Sequence, residues 1–238
     1  MTATIANPIL PGFHPDPSIL RVGDDYYVAT STFEWFPGVA VHHSRDLVHW
    51  RLVGHALTCP GQLPMAGNPR SGGVWAPCLS HADGRFYLVF TNTRRWGFGF
   101  ADFPNYLVTA ERIEGPWSEP VFLNSSGFAP SLFHDLDGRK WLVNMLWDHR
   151  PGRDRFGGIV LQRYSLAERA LVGEPEVIFG GSHLGVTEGP HLYRRFAQAY
   201  DRRVVGEVGG PDFPYAVHIC GNATLILEDM VATGAQIL

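Results

Sequence analysis

The sequence predicts an all-β fold built from a repeated unit, and three observations support this prediction. Short apolar and aromatic runs alternate with turn residues along the chain of 238 residues, which contains 27 Gly and 18 Pro. Helical periodicity is almost absent, since only residues 107–113 and 165–170 fit a short helix, and both also fit a strand or a turn. A strand start that contains a proline recurs along the chain, which indicates a repeat architecture.

The repeat begins with a proline that precedes a short, mainly apolar run. The four prolines are Pro17, Pro77, Pro130 and Pro190, at intervals of 60, 53 and 60 residues (17 to 77, 77 to 130, 130 to 190). In the first three copies a Gly-Asp or Asp-Gly turn follows, and then a run rich in aromatic and aliphatic residues, which is a strong hairpin signal. Further strands are predicted at residues 38–43 and 158–163.

A repeat of short strands at this spacing is typical of the blades of a β-propeller. Blades are arranged radially, so equivalent residues of successive blades approach a common axis. The residues just before the four prolines should therefore face one another at one end of that axis. Residues 1–195 are predicted to form about three blades and the start of a fourth.

Charge and composition argue against several kinds of partner. The net charge is −4 and no basic block occurs, so neither nucleic acid nor an anionic membrane is expected to bind. Three widely separated cysteines predict neither a zinc site nor a disulfide framework. Because the start resembles no signal peptide and no apolar run is long enough to span a bilayer, we expect a soluble cytoplasmic protein. The oligomeric state cannot be predicted.

Two acidic residues, Asp16 and Glu188, occupy matched positions in the repeat. Asp16 immediately precedes Pro17, and Glu188 lies two residues before Pro190. The prolines at 15 and 17 predict a stiff, extended backbone that aims the Asp16 carboxylate. Two carboxylates from different blades can hydrolyse a glycosidic bond, since one activates a water while the other protonates the leaving oxygen. The alternative is a solvated Asp16 in a proline-rich turn.

Five motifs, in the same order, resemble those of family 43 of the glycoside hydrolases, in particular its β-xylosidase branch. The resemblance covers about residues 7–195. It implies an inverting hydrolase with a five-bladed propeller, in which Asp16 is the general base and Glu188 the general acid. The motifs are Gly12-Phe13-His14-Pro15-Asp16-Pro17-Ser18, Ser31-Thr32-Phe33-Glu34-Trp35-Phe36-Pro37-Gly38, Val74-Trp75-Ala76-Pro77, Asn144-Met145-Leu146-Trp147-Asp148-His149-Arg150 and Thr187-Glu188-Gly189-Pro190-His191-Leu192-Tyr193.

The resemblance also implies that aromatic side chains line the sugar subsites. Aromatic faces suit pyranose rings, whose C–H faces are apolar. Ordinary blade packing is the alternative for each ring. Acid–base hydrolysis requires no cofactor, and the sequence offers no metal-ligand cluster at a recognisable spacing. The implied subsite residues are Phe33, Trp75, Phe128 and Trp147.

The chain departs from this family at the third repeat, where Ala129 precedes the proline. The resemblance implies an Asp at this position, which orients the general acid and raises its pKa through its negative charge. Because an alanine supplies neither a charge nor a hydrogen bond, we expect impaired hydrolysis with sugar binding retained. The sequence does not distinguish a natural alanine from one introduced to trap a substrate.

The second departure begins at Phe196. Residues 196–238 match no blade, and we expect a divergent tail whose strand-like segments patch the open edge of the propeller. A truncated gene or a shifted reading frame is our hypothesis for this change.

The sequence therefore predicts cleavage of β-1,4-xylo-oligosaccharides from the non-reducing end. An α-L-arabinofuranosidase is the first alternative, because the two pentoses share much of their shape. A non-catalytic fragment that binds carbohydrate or is inactive is the second.

Overall fold

The computed structural model describes residues 7–97, 100–182 and 185–192. No helix in this part of the chain is long and apolar enough to cross a membrane. The described elements are all strands: β1 (Ser18–Val22), β2 (Asp25–Thr30), β3 (Gly38–Ser44), β4 (Arg51–Leu57), β5 (Gly73–Ala82), β6 (Arg85–Thr93), β7 (Asn105–Ala110), β8 (Val121–Asn124), β9 (Ser131–His134), β10 (Lys140–Trp147), β11 (Phe156–Ser165) and β12 (Ala170–Phe179).

Each set of four consecutive strands forms one antiparallel sheet, namely β1–β4, β5–β8 and β9–β12. Within each sheet the spatial order follows the chain order, as in the blades of a propeller. The first strands of successive sheets contact one another, β1 with β5 and β5 with β9. The predicted all-β architecture of three blades is confirmed for the described residues.

The hairpins predicted from Gly-Asp and Asp-Gly are also present. Val22 pairs with Asp25 and Ala82 with Arg85 across two-residue turns, whereas the third hairpin has a longer turn over residues 135–139. The two ambiguous segments are not helices. Residues 107–110 belong to β7, where pairing with β6 and β8 favours the strand, and residues 166–169 form the turn between β11 and β12.

The apolar core lies between neighbouring blades, and the residue at one position of the repeat contacts an aromatic ring of the preceding blade at both interfaces. Phe86 in β6 packs on the ring of Tyr27 in the first blade, with ring centroids 5.6 Å apart. Lys140 holds the equivalent position in β10, and its Nζ lies 5.3 Å from the ring centroid of Tyr87 in the second blade. The Lys140 side chain is only 2% exposed and forms an ion pair with Asp83 at 2.9 Å. An aromatic contact at one interface is therefore replaced by a cation–π contact and an ion pair at the next.

Small polar residues directly after the repeat prolines link each repeat to the next. Ser18 Oγ accepts a hydrogen bond from the backbone N–H of Leu79 at 3.0 Å. Ser131 Oγ donates one to the carbonyl of Pro190 at 2.5 Å, which anchors the fourth repeat. Cys78 holds the same position in the second repeat, and its buried thiol is hydrogen-bonded to the backbone of the third.

The residue before each repeat proline has a positive φ, so the extended backbone predicted at Asp16 is wrong. The φ values are 50° for Asp16, 37° for Ala76, 54° for Ala129 and 61° for Gly189. A proline disfavours the right-handed helical region for the preceding residue. At Asp16 and Ala76, tertiary hydrogen bonds with Ser31 accompany the left-handed conformation. For residues other than glycine this conformation costs about 1–2 kcal/mol. The same left-handed turn therefore occurs at all four repeat starts, and it is strained at Asp16, Ala76 and Ala129 but not at Gly189.

Candidate active site

The four aromatic side chains predicted to line sugar subsites lie together in one cluster that spans three blades. Trp75 in β5 is at its centre, with its ring centroid 6.4 Å from that of Phe33 and 5.5 Å from that of Phe128. Trp147 at the end of β10 continues the cluster, 6.0 Å from Phe128. The structure thus brings together all four predicted rings.

Burial separates these rings into two groups. Phe33, Trp75 and Trp147 are half-buried, so part of each ring remains available to a ligand. Phe128 is only 6% exposed and packs against Phe103, with centroids 5.0 Å apart. Phe128 therefore forms the floor of the cluster and offers little ring surface to a sugar.

Sequence reasoning missed three further rings of this cluster. Phe103 lies beneath it and contacts Trp75, while the exposed rings of Phe13 and Trp96 extend it at 5.8 Å from Phe33 and Trp75, respectively. Phe13 stands in a quoted motif and could have been found from its place beside His14. Phe103 and Trp96 lie outside every quoted motif, so no sequence signal marked them.

The backbone around Trp75 explains how the first and second blades join beside the cluster. Phe33 and Val74 exchange two backbone hydrogen bonds, each 3.0 Å long. A Cβ atom at Gly73 would lie 2.2 Å from the carbonyl oxygen of Phe33, so only glycine permits this approach. The Trp75 indole N–H donates to the carbonyl of Ser71 at 2.7 Å, which fixes the orientation of the ring.

Asp16 lies at the tip of the first blade and is held by Ser31. The hydroxyl of Ser31 donates a hydrogen bond to Asp16 Oδ2 at 2.6 Å and accepts one from the backbone N–H of Ala76 at 2.8 Å. The backbone N–H of Ser31 donates to the carbonyl of Pro15 at 3.0 Å. Sequence reasoning assigned Ser31 no role, although it opens one of the quoted motifs.

Glu188 lies in the described segment 185–192 of the fourth repeat. Its pKa is raised, first because nearby protein displaces water from the carboxyl group and second because Asp16 carries a negative charge. Since the residue as a whole is exposed, solvent limits the size of this effect. The two predicted carboxylates are therefore close enough to interact electrostatically, and this interaction favours the protonated form of Glu188.

Ala129 follows Phe128, which forms the floor of the aromatic cluster, and is only 5% exposed. It packs in an apolar cluster with Phe128 and Met145, and Met145 N–H donates to the carbonyl of Phe128 at 3.1 Å. A Cβ atom at Gly127 would lie 1.9 Å from the carbonyl oxygen of Met145. In the part of the chain that is described, Asp16 is the only charged neighbour that raises the pKa of Glu188.

A chain of three asparagine amides, of which Asn105 and Asn144 are buried, holds the loop before Ala129. Asn105 Nδ2 donates to the carbonyl of Gly127 at 2.8 Å and to Asn124 Oδ1 at 2.7 Å. Asn124 Nδ2 donates to Asn144 Oδ1 at 3.1 Å, which connects β8 to β10. The loop is thus held by hydrogen bonds from neighbouring strands, none of which involves the side chain of Ala129.

No group of three or more His, Cys, Asp or Glu side chains that could hold a metal ion occurs within residues 7–97, 100–182 and 185–192.

His14, beside the candidate base, packs edge to face against His42 with ring centroids 4.9 Å apart. Burial lowers the pKa of His42, and the neighbouring His14 lowers it further. These two histidines therefore pack as ring neighbours.

Propeller blades that bring together two interacting carboxylates and half-buried aromatic rings provide the groups that glycoside hydrolases use. The model of the family described as "Glycosyl hydrolases family 43" matches residues 5–224. The chain belongs to family 43 of the glycosyl hydrolases. The match extends past Arg195, where the resemblance of the motifs ends. The predicted divergent tail, residues 196–238, lies outside the described residues and stays a prediction.

The chain is similar to xylosidases of known sequence and structure. It is 60% identical to "Xylosidase/arabinosidase 43B" of Humicola insolens over 205 residues, which is 86% of this chain and 38% of that protein. It is 55% identical to "Beta-xylosidase" of Bacillus subtilis over 221 residues, covering 93% of this chain and 41% of that protein. The crystal structure of a xylan β-1,4-xylosidase from Bacillus halodurans matches with a TM-score of 0.79 and 66% identity, over 80% of this chain and 37% of that one.

These matches confirm the predicted family and its β-xylosidase branch. The chain spans about two fifths of the length of these relatives.

Proposed function

We propose that this protein acts on β-1,4-xylo-oligosaccharides and hydrolyses the glycosidic bond at the non-reducing end with inversion. The observation that carries this proposal is the electrostatic coupling of Asp16 and Glu188 beside a cluster of half-buried aromatic rings. The names of the similar xylosidases support xylose as the sugar.

In this mechanism Asp16 accepts a proton from a water molecule as the water attacks the anomeric carbon. Glu188 donates its proton to the leaving oxygen. After the reaction Asp16 is protonated and Glu188 is ionised, so the pair together has neither gained nor lost a proton. An inverting pair is about 6.5–9.5 Å apart, which leaves room for the water. The raised pKa of Glu188 favours the protonated form that a general acid needs.

The half-buried rings of Phe33, Trp75 and Trp147 are the surfaces on which the sugar would stack. Phe128 supports them from below, and few of its atoms would reach the substrate. This division refines the subsite assignment implied by the family resemblance.

Ala129 should affect the protonation of the leaving group by Glu188 but not the activation of water by Asp16. The missing carboxylate would act on the general acid, whereas Asp16 and its hydrogen bond from Ser31 are in place. Xylosides whose leaving group needs no protonation should therefore still be hydrolysed, while natural xylosides, whose leaving group must be protonated, should be hydrolysed slowly. General acid catalysis typically contributes about 10²–10⁴-fold.

Two other functions compete with this proposal. An α-L-arabinofuranosidase is favoured by the Humicola insolens relative, whose name includes arabinosidase activity. A non-catalytic xylan-binding role is favoured by Ala129. The cytoplasmic location expected from the sequence stays a prediction.

One set of assays tests these possibilities. We expect the full chain to hydrolyse 2,4-dinitrophenyl β-xyloside, which has a good leaving group, much faster than p-nitrophenyl β-xyloside or xylobiose. Faster release from p-nitrophenyl α-L-arabinofuranoside would favour the first alternative. Xylobiose binding by calorimetry with no turnover of any substrate would favour the second and contradict the proposal.

A further inference from the structure

Ser31 links the tips of the first two blades through one hydroxyl group. It follows β2 directly and is only 1% exposed. Its side chain contacts Asp16 of its own blade and the backbone of Ala76 in the next. Asp16 and Ala76 are equivalent residues of the repeat, and both have the strained positive φ. The hydroxyl therefore joins two strained turns at the end of the axis.

The direction of both hydrogen bonds follows from the groups involved. The Ala76 N–H is a donor, so Ser31 Oγ accepts from it at 2.8 Å. A serine hydroxyl has a single proton, and an ionised carboxylate can only accept. Ser31 Oγ must therefore donate its proton to Asp16 Oδ2, and the 2.6 Å separation is typical of a short bond between a hydroxyl and a carboxylate.

This arrangement makes the two oxygens of Asp16 unequal. Oδ2 is bound to a buried hydroxyl, whereas Oδ1 receives no hydrogen bond from any of the described residues. Asp16 as a whole is exposed, and Oδ1 is the oxygen that the protein leaves available to a water molecule in the described part of the chain. We infer that Ser31 is a positioning residue that holds Oδ2 of Asp16, so that Oδ1 takes the proton of the attacking water. This inference rests on the proposed role of Asp16 as general base.

A backbone contact adds to the same restraint. The N–H of Ser31 donates to the carbonyl of Pro15, the residue before Asp16. Ser31 therefore holds both the strained backbone and the carboxylate of the base. Without the hydroxyl, Asp16 would sample several side-chain rotamers, and few of them would present an oxygen to the water.

Ser18 offers a matched control for the loss of a serine hydroxyl. Its Oγ also accepts a hydrogen bond from a backbone N–H of the second blade, that of Leu79 at 3.0 Å. Ser18 is not hydrogen-bonded to Asp16 in the part of the chain that is described. Ser18→Ala and Ser31→Ala should therefore lower the melting temperature of the full chain to a similar extent, and only Ser31→Ala should affect Asp16.

The kinetic test uses 2,4-dinitrophenyl β-xyloside, because its leaving group needs no general acid and the rate reports on the base alone. We expect Ser31→Ala to lower kcat by about 10- to 100-fold, with KM changed by less than about twofold. Ser31→Cys retains a weak donor of similar shape and should give an intermediate kcat. Ser18→Ala should leave kcat within about twofold of the parent. A parent-like kcat for Ser31→Ala, when Asp16→Asn is inactive, overturns the inference.

A second measurement needs no turnover. The carboxylate stretching band of Asp16 can be isolated by infrared difference spectroscopy of chains with ¹³C-labelled aspartate, with Asp16→Asn as the reference. Ser31→Ala should shift this band and Ser18→Ala should not, and an unshifted band overturns the inference. If Asp16→Asn retains turnover, the general-base role fails instead, and the band still tests the contact with Ser31.

Discussion

Asp16 and Ala129 occupy the same position in the first and third repeats, and they show how one backbone carries different chemistry. Their φ values are nearly equal, 50° and 54°. Asp16 is exposed and accepts a hydrogen bond from Ser31, whereas Ala129 is buried among apolar side chains. The first blade therefore presents a carboxylate at the axis where the third presents a methyl group.

The difference indicates that the fold sets the geometry and the side chain sets the function. Ala76 and Gly189 adopt the same left-handed turn, so the conformation does not depend on an aspartate. At the third repeat, Gly127 and the amide of Asn105 hold the loop through backbone contacts. A carboxylate introduced at position 129 would consequently enter a loop that other residues already hold in place.

The largest effect is expected when the carboxylate of the first repeat is removed. Asp16→Asn keeps the size of the side chain but cannot accept a proton from water, so hydrolysis of 2,4-dinitrophenyl β-xyloside should fall by about 10²–10⁴-fold. Steady-state kinetics measure this loss. Asp24→Asn, which changes a highly exposed acid in the hairpin of the same blade, is the control and should retain activity. Equal activity of the two variants would contradict the proposed base.

The next largest effect is expected when a carboxylate is added to the third repeat, which lacks one. Ala129→Asp should raise the rate with xylobiose by about 10- to 100-fold, because a negative charge near Glu188 helps it to retain its proton. The rate with 2,4-dinitrophenyl β-xyloside should barely change. Ala76→Asp introduces the same group at the equivalent position of the second blade and should give no gain. Unchanged xylobiose hydrolysis by a folded Ala129→Asp variant would show that the missing carboxylate does not limit the reaction.

Much of this comparison could be predicted from the sequence. The proline repeat and its turns predicted three blades, because hairpin signals are local, and the radial symmetry of blades then placed Asp16, Ala129 and Glu188 at one end of the axis. The positive φ before each proline could not be predicted, since at Asp16 and Ala76 the turn is held by hydrogen bonds to Ser31, which is distant in the sequence. Ser31 and Phe103 were missed for the same reason, because their importance lies in neighbours brought together only by the fold.

A smaller effect concerns the charge on Glu188. Its pKa is raised partly by Asp16, so Asp16→Asn should lower that pKa toward its ordinary value, and Ala129→Asp should raise it further. A general acid works while protonated, so activity with xylobiose should fall as the pH rises through this pKa. In Ala129→Asp the fall should move to higher pH. NMR titration of the Glu188 carboxyl carbon measures both shifts, and an identical titration in the parent and Asp16→Asn would refute the coupling.

The smallest expected effect is on stability. It tests whether the backbone at Ala129 is strained. Ala129→Gly loses one buried methyl group, which costs about 0.8 kcal/mol, but relieves a left-handed conformation that costs about 1–2 kcal/mol. The free energy of unfolding should therefore stay within about 1 kcal/mol of the parent or rise slightly. Ala29→Gly removes a methyl from β2 that is also buried, without this relief, and should destabilise by about 1–2 kcal/mol. Urea denaturation compares the two, and equal losses would show that the turn at Ala129 stores no strain.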